Sequence, residues 1–221
     1  MTRQQDGGKC RVVVLISGSG TNLQALIDAA ARDDASFSVC SVISNKPGAY
    51  GLARAGDAGI AAVAIDHRDY GDRETFDRAL MEEIDCHRPD LVVLAGFMRI
   101  LTPEFVRHYS GRLLNIHPSL LPKYQGLNTH ARALEAGDPE HGVTVHFVTE
   151  ELDGGPTIVQ AAIPVKDDDT PDTLARRIQV QEHVIYPLAV SWFAEGRLRM
   201  VEDRCQLDGE FLPRSGHRIE N

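Results

Sequence analysis

The chain is short of cysteine, of long apolar runs and of positive charge, and each shortage narrows what it can be. Its 4 cysteines (Cys10, Cys40, Cys86 and Cys205) are scattered with no CxxC pair, so neither a disulfide framework nor a zinc site is expected. Nothing approaches the roughly 18 consecutive apolar residues of a membrane-spanning helix. The polar stretch from Met1 to Lys9 has no apolar signal-peptide core and reads as a short disordered tail, which makes the cytoplasm the expected location. Lys and Arg number 23 against 32 Asp and Glu, a net charge of −9. Nucleic-acid and membrane surfaces need a cationic field, so neither partner is expected. Small anionic substrates stay open, because backbone N–H groups and a few local cations can hold them.

Hydrophobic residues at 43% and charged residues at 25% are ordinary for a soluble globular protein, and 221 residues suit a single domain over the whole chain. Val12-Val13-Val14-Leu15-Ile16 is apolar without alternation, as in a strand covered on both faces. Ser17-Gly18-Ser19-Gly20-Thr21-Asn22 follows, then a helical pattern from Leu23 to Ala31. A strand, glycine-rich turn and helix in that order make an anion site from exposed N–H groups and the positive helix end. Leu23 stands where a third glycine of GxGxxG would be, and the next strand ends in Ser44-Asn45-Lys46 with no acidic residue for a ribose. This argues against a dinucleotide, the lack of GKS or GKT excludes a Walker loop, and a single phosphate monoester fits better. Taken alone, the turn also reads as a plain tight turn.

Further along, helices are expected over Gly51 to Ala58 and Glu74 to His87, with a short strand from Ala61 to Ile65. Arg73 stands at a helix start, where a cation gains nothing from the dipole, so either a ligand contact or a solvated surface accounts for it. Asp90 to Gly96 is a buried strand, and Phe97-Met98-Arg99-Ile100-Leu101 beyond it lies where open α/β sheets bind ligands. Met98 and Leu101 equally suit core packing.

The strand Leu113 to Ile116 is interrupted by Asn115 and ends at His117. Residues i and i+2 of a strand share a face, so the carboxamide and the imidazole point together. Pro118 keeps His117 extended, and Pro118 and Pro122 stop the strand. Such a pair can polarise a carbonyl and stabilise the oxyanion formed from it. Asn128 is placed to cap a helix from Thr129 to Ala136. Val143, Val145 and Phe147 alternate with Thr144, His146 and Val148 before Thr149 to Pro156, and Thr157 to Val165 is the second arm of a hairpin. Within its connection Asp153 precedes Gly154 and Gly155, which permit unusual backbone angles and close approach; an Asp before Gly is also a common turn former. Pro171 opens a long helix with Leu174, Ile178, Val184, Ile185 and Leu188 on its apolar face and Pro187 near its end. A short β-ribbon (Arg197 to Val201 with Gly209 to Leu212) and a loose tail close the chain.

Three segments, Leu94 to Leu101, Asn115 to Pro122 and Glu151 to Pro156, together with the first turn and Gln179-Val180-Gln181-Glu182-His183, closely resemble the phosphoribosylglycinamide formyltransferase family from about Arg11 to Leu212. The resemblance implies a Rossmann-like formyltransferase fold: an open, mostly parallel twisted sheet with helices on both faces and a C-terminal antiparallel β extension. It implies transfer of a formyl group from 10-formyltetrahydrofolate to the amine of phosphoribosylglycinamide in purine synthesis, without a metal and without a covalent enzyme intermediate. Asn115 would donate to the tetrahedral oxyanion, His117 would stabilise the same charge, and Asp153 would favour the charged imidazole and help move a proton. Gly20, Thr21 and Asn22 would hold the substrate phosphate, with Gln179, Val180, Gln181 and Glu182 at its ribose or phosphate end and Glu182 assigned to the ribose. Met98, Arg99, Ile100 and Leu101 with Asn115, Thr149, Glu150, Glu151, Leu152 and Asp153 would line the folate site, and Arg73 would meet the folate tail. Partners are then small molecules, and the chain a monomer or homodimer. Gln125 replaces a proline frequent in the family, which bears on loop rigidity rather than chemistry.

The resemblance leaves rivals. A 10-formyltetrahydrofolate hydrolase would use the same trio, but an appended regulatory module is expected of it and the sequence before Arg11 leaves no room. Methionyl-tRNA formylation would want a basic C-terminal domain, against the acidic charge. A serine hydrolase built on Ser119, His117 and Asp153 lacks a nucleophile elbow. A non-catalytic phosphoribosyl-binding sensor would keep the glycine turn but has no use for the complete trio.

Overall fold

The computed structural model describes residues 8–219, so the expected tail falls mostly outside the described residues. Strands β1 (Cys10–Ile16), β2 (Phe37–Ser44), β3 (Ala61–Ala64), β4 (Leu91–Leu94) and β5 (Leu113–His117) alternate with helices α1 (Thr21–Ala30), α2 (Tyr50–Asp57), α3 (Arg73–Cys86) and α4 (Pro103–His108). After α5 (Thr129–Glu135) come the hairpin strands β6 (Glu140–Phe147) and β7 (Thr157–Pro164), then α6 (Pro171–Ala194). β8 (Leu198–Val201), β9 (Arg204–Leu207), β10 (Glu210–Phe211) and β11 (His217–Ile219) complete the chain. The main sheet has the order β11-β7-β6-β5-β4-β1-β2-β3. Only β6 runs antiparallel to its neighbours in it. The mostly parallel α/β sheet is as expected from sequence.

Apolar side chains of β1, β4 and β5 divide between two cores. Val12, Val14, Ile16, Leu114 and Ile116 pack with α1 and α6, while Val13, Leu15, Val92, Leu94 and Leu113 pack with Phe76, Leu80 and Ile84 of α3 and Phe105 of α4. Both faces of the parallel strands are thus buried, which is why they show no alternation. The second core ends at β5. Beyond it the same face carries Asn115, His117, Thr144, His146 and Gln160, while Val143, Val145 and Phe147 point to the first core. This polar strip is covered by loops, and the candidate site forms there.

Four sequence expectations are corrected. The β-ribbon at the C-terminus is a three-stranded sheet, β10-β9-β8, in which Arg204–Leu207 pairs directly with Leu198–Val201; that middle strand is short and polar and left little pattern to read. The loose tail instead supplies β11, an edge strand parallel to β7, with a Gly216 Cβ excluded by Thr157 and Ile158 at its entry. Pro187 sits inside α6, which runs on to Ala194; its apolar face beyond Pro187 continues through Ala189, Val190 and Trp192 and holds the helix on the sheet. Asn128 does stand at the start of α5, but with φ 58° and no side-chain capping bond.

Candidate active site

Asn115 and His117 project together from β5 and meet two groups from elsewhere. His117 Nε2 lies 2.9 Å from the Tyr124 carbonyl oxygen. A carbonyl only accepts, so Nε2 carries a proton. The other ring nitrogen, Nδ1, is 3.5 Å from Asp153 Oδ2, with both side chains 8% exposed. The Asp153 carboxylate thus faces the ring nitrogen that the Tyr124 carbonyl does not take. Asp153 has φ 49°. The unusual backbone angle anticipated for the two glycines therefore falls on Asp153 itself. Gly155 serves close approach, since a Cβ there would collide with the Phe147 carbonyl oxygen.

His146 completes the cluster. Its Nδ1 donates to the Phe147 carbonyl at 2.9 Å, and Nε2 faces Asn115 Nδ2 at 3.3 Å. Nε2 is also 3.8 Å from Asp153 Oδ1. Burial pushes the His146 imidazole down from its ordinary value, and the Asp153 carboxylate pulls the other way. A neutral ring then accepts from Asn115 and fixes which way the carboxamide points, leaving its second N–H free for a reacting oxygen. Sequence reading gave His146 no role, although a signal existed: Thr144 and His146 are polar where Val143, Val145 and Phe147 are not.

The glycine turn after β1 and the segment after β4 flank the point where strand order reverses, the crevice in which open α/β sheets bind ligands. Gly20 has φ 72°, and a Cβ there would lie 2.7 Å from the Gly51 Cα, so α1 and α2 meet through two glycines. The first-turn N–H groups of α1, beginning at Thr21, have no intrahelical partners. Arg54, a residue sequence reading passed over, donates to the Ser19 carbonyl at 2.8 Å and braces the turn. From α6, Gln179 donates to Thr21 Oγ1 at 3.1 Å, and Glu182 accepts from Asn22 Nδ2 at 2.7 Å. Burial raises the Glu182 carboxyl above its ordinary value, opposed by that Asn22 bond. Asn22 Oδ1 is buried without a partner. Val180, a quarter-turn away on the helix, is 61% exposed and points from the turn. Gln181 is half-buried beside it.

The segment after β4 divides as its alternatives did. Met98 and Ile100 are 67% and 58% exposed, whereas Leu101 joins the second core. Arg99 stacks 4.9 Å from the Phe76 ring centre with its Nε buried and unpartnered. Met98 N–H donates 2.8 Å to Ser17 Oγ, which donates 2.5 Å to Asn45 Oδ1. Ser17 and Asn45 are 5% and 2% exposed, so this chain is a fixed bridge across the crevice. Leu152 is 53% exposed. Of its neighbours, Thr149 is half-buried, Glu150 pairs with Arg107 at 2.9 Å and Glu151 is exposed. Arg73 is exposed at the first position of α3. Ser119 is fully buried and gives its hydroxyl to the Lys123 carbonyl at 2.6 Å, not to His117, which leaves the serine-hydrolase reading without a nucleophile.

Comparison with known proteins gives the family. Residues 10–190 match the formyl transferase family model. The chain belongs to that family. It is 59% identical to the phosphoribosylglycinamide formyltransferase of Escherichia coli K12 over 95% of this chain and 99% of that formyltransferase. Among solved structures it resembles the phosphoribosylglycinamide formyltransferase of Coxiella burnetii, with TM-score 0.93 and 52% identity over 96% of this chain and all of the other. It also resembles glycinamide ribonucleotide transformylase 1 of Symbiobacterium toebii, with TM-score 0.88 and 47% identity over 91% and 95%. Formyl transfer needs a donor for an oxyanion and a route for a proton, and the β5 cluster contains groups suited to both.

Proposed function

We propose that Asn115, His117 and Asp153 carry out formyl transfer from 10-formyltetrahydrofolate to the amine of phosphoribosylglycinamide. The activity is that of a phosphoribosylglycinamide formyltransferase in purine synthesis, supported by the 59% identity to the Escherichia coli enzyme over nearly both chains. The observation that carries the residue assignment is the convergence of Asn115, His117, His146 and Asp153 at the end of β5, within 3.8 Å of one another pairwise along the cluster.

The amine nitrogen attacks the formyl carbon and forms a C–N bond, and the carbonyl pair moves to oxygen. The free Asn115 N–H and His117, as a cation or proton donor, stabilise that oxyanion. On collapse the bond from carbon to the folate nitrogen breaks, and the proton lost by the amine passes to that nitrogen, with Asp153 as carrier, directly or through water. Positioning comes from the far end: first-turn N–H groups of α1 take the phosphate, and Glu182 takes the ribose hydroxyls in place of Asn22. The exposed apolar side chains Met98, Ile100 and Leu152 suit a flat heteroaromatic ring. Arg73 is assigned to the folate tail. Among the described residues no helix is long and apolar enough to cross a membrane. The four thiols are free, which suits a reducing compartment such as the cytoplasm.

Tetrahydrofolate release from 10-formyltetrahydrofolate, followed spectrophotometrically with and without phosphoribosylglycinamide, tests the reading. Release that needs the acceptor is expected. Release without it would identify a hydrolase, and none in either case a binding protein.

A further inference from the structure

Residues 123–128 pass across the end of β5 and touch the catalytic cluster at three points. The Tyr124 carbonyl accepts from His117 Nε2, and Gly126 N–H donates to Asp153 Oδ2 at 3.0 Å. Gln125 Nε2 adds a bond to the Asp153 carbonyl at 3.3 Å. The segment reaches these positions through left-handed backbone at Tyr124 (φ 58°), Gly126 (φ 78°) and Asn128 (φ 58°). A residue with a Cβ disfavours that region, so Tyr124 needs support from outside. Asp138, just past α5, gives it. Its carboxylate takes Lys123 Nζ at 3.0 and 2.9 Å and the Tyr124 hydroxyl at 2.8 Å. Arg132 lies 5.1 Å from the Tyr124 ring centre and donates to the Gln125 carbonyl at 2.7 Å.

We infer that Asp138 is a positioning residue for formyl transfer, holding the side chains of Lys123 and Tyr124 so that the strap's backbone orients His117 and Asp153. This rests on the catalytic roles proposed above. An exposed ion pair would contribute little, but Asp138 has its side chain only 15% exposed and accepts three hydrogen bonds. A cavity of about 220 Å³ behind Tyr124, lined also by His141 and Gln160, leaves the unclamped strap space to move.

Asp138→Ala and Asp138→Asn in the full chain test this, read by steady-state kinetics and by the solvent exchange of the His117 Nε2 proton in ¹⁵N-resolved NMR. The alanine variant should lose about tenfold to a hundredfold in kcat, the range for small misplacements of reacting groups, with KM for phosphoribosylglycinamide within about twofold. Its His117 Nε2 proton should exchange markedly faster. Asp138→Asn, whose amide oxygen still accepts from Tyr124, should recover most of both. Unchanged kcat in the alanine variant overturns the proposal, as does a fall in kcat with the His117 proton still protected. If Asp138→Ala does not fold, Tyr124→Phe, which loses one hydroxyl, is read in the same two ways. Failure of the parent protein to transfer formyl would sink the functional reading alone, because the proton exchange still reports whether Asp138 holds His117.

Discussion

At the His117 end of the candidate site, the side chains are already held by the protein: His117 by Tyr124 and Asp153, His146 by Phe147 and Asn115, and Asp153 by Gly126. At the Gly20–Asn22 end, by contrast, among the described residues the Asn22 carboxamide oxygen is buried without a partner, and Glu182 has Asn22 as its one hydrogen-bond partner. The first end is built to stabilise charge that appears only during reaction, so its donors have to be aimed in advance. The second has to exchange its internal bonds for those of a ligand, so it is left partly unsatisfied. Substitutions at the two ends should then fail differently, the first in kcat and the second in KM.

The largest effect is expected at His117. His117→Ala removes the group that faces both Asp153 and the oxyanion, and should lower kcat about a thousandfold, at the upper range for loss of one oxyanion donor. KM for both substrates should stay within a few fold. A large rise in KM, or loss of cooperative thermal unfolding, would make His117 a structural residue. Asp153→Asn comes next. The amide oxygen can still accept from Gly126 N–H, so geometry is kept while the charge and the proton carrier are lost. A fall of about a hundredfold in kcat is expected from the usual scale of acid–base assistance, and an unaltered rate would remove Asp153 from the mechanism.

The same contrast explains what was legible in the sequence. The parallel half of the sheet announced itself through unbroken runs such as Val12 to Ile16, because burial on both faces demands them. Asn115, His117 and Asp153 stood out because they interrupt an apolar strand or precede two glycines. His146 did not, since one polar residue in an alternating strand looks like a solvated face until a loop is seen to cover it. Tyr124 was illegible for another reason: it contributes a backbone carbonyl, which every residue has, and only its left-handed conformation aims it. Ser17, Asn45 and Arg54 support the site through contacts 28 to 81 residues apart in the chain or with backbone groups, which no local pattern encodes. The tail strand β11 is 3 residues long and was hidden for want of length.

Ser17, at the start of the glycine turn, ties that turn to the Met98–Leu101 segment and to Asn45, which makes it the place to probe the region between the two ends. Ser17→Ala leaves the Met98 N–H and the Asn45 carboxamide without their shared hydroxyl in a buried spot, at a cost of about 1–3 kcal/mol for a stranded polar group. The Met98–Leu101 segment should loosen, so KM for the folate donor should rise about tenfold, the equivalent of 1.4 kcal/mol, while kcat changes little. A normal donor KM would show that the segment is held by Leu101 and its core contacts alone.

The smallest effect, and the one with opposite signs in its two readouts, is expected at Glu182. The carboxyl is raised above its ordinary value by burial. A carboxyl whose folded value lies above its unfolded value leaves the folded state holding more protons between the two, so stability falls as pH rises through that window and stays lower above it. At neutral pH, Glu182 therefore destabilises the ligand-free protein. Glu182→Gln keeps an oxygen for Asn22 Nδ2 and removes the ionisation. Its thermal midpoint should rise at pH 7–8, with about 2–4 °C for each kcal/mol gained in a domain of this size, and the gain should vanish below the ordinary carboxyl range. The same variant should bind phosphoribosylglycinamide more weakly, because an amide is a poorer acceptor for ribose hydroxyls than a carboxylate. A variant that is stabilised but binds normally would move the ribose contact elsewhere. One that is not stabilised would mean that Asn22 alone satisfies the carboxylate, and the contrast between the two ends would be smaller than the unpartnered Asn22 oxygen implies.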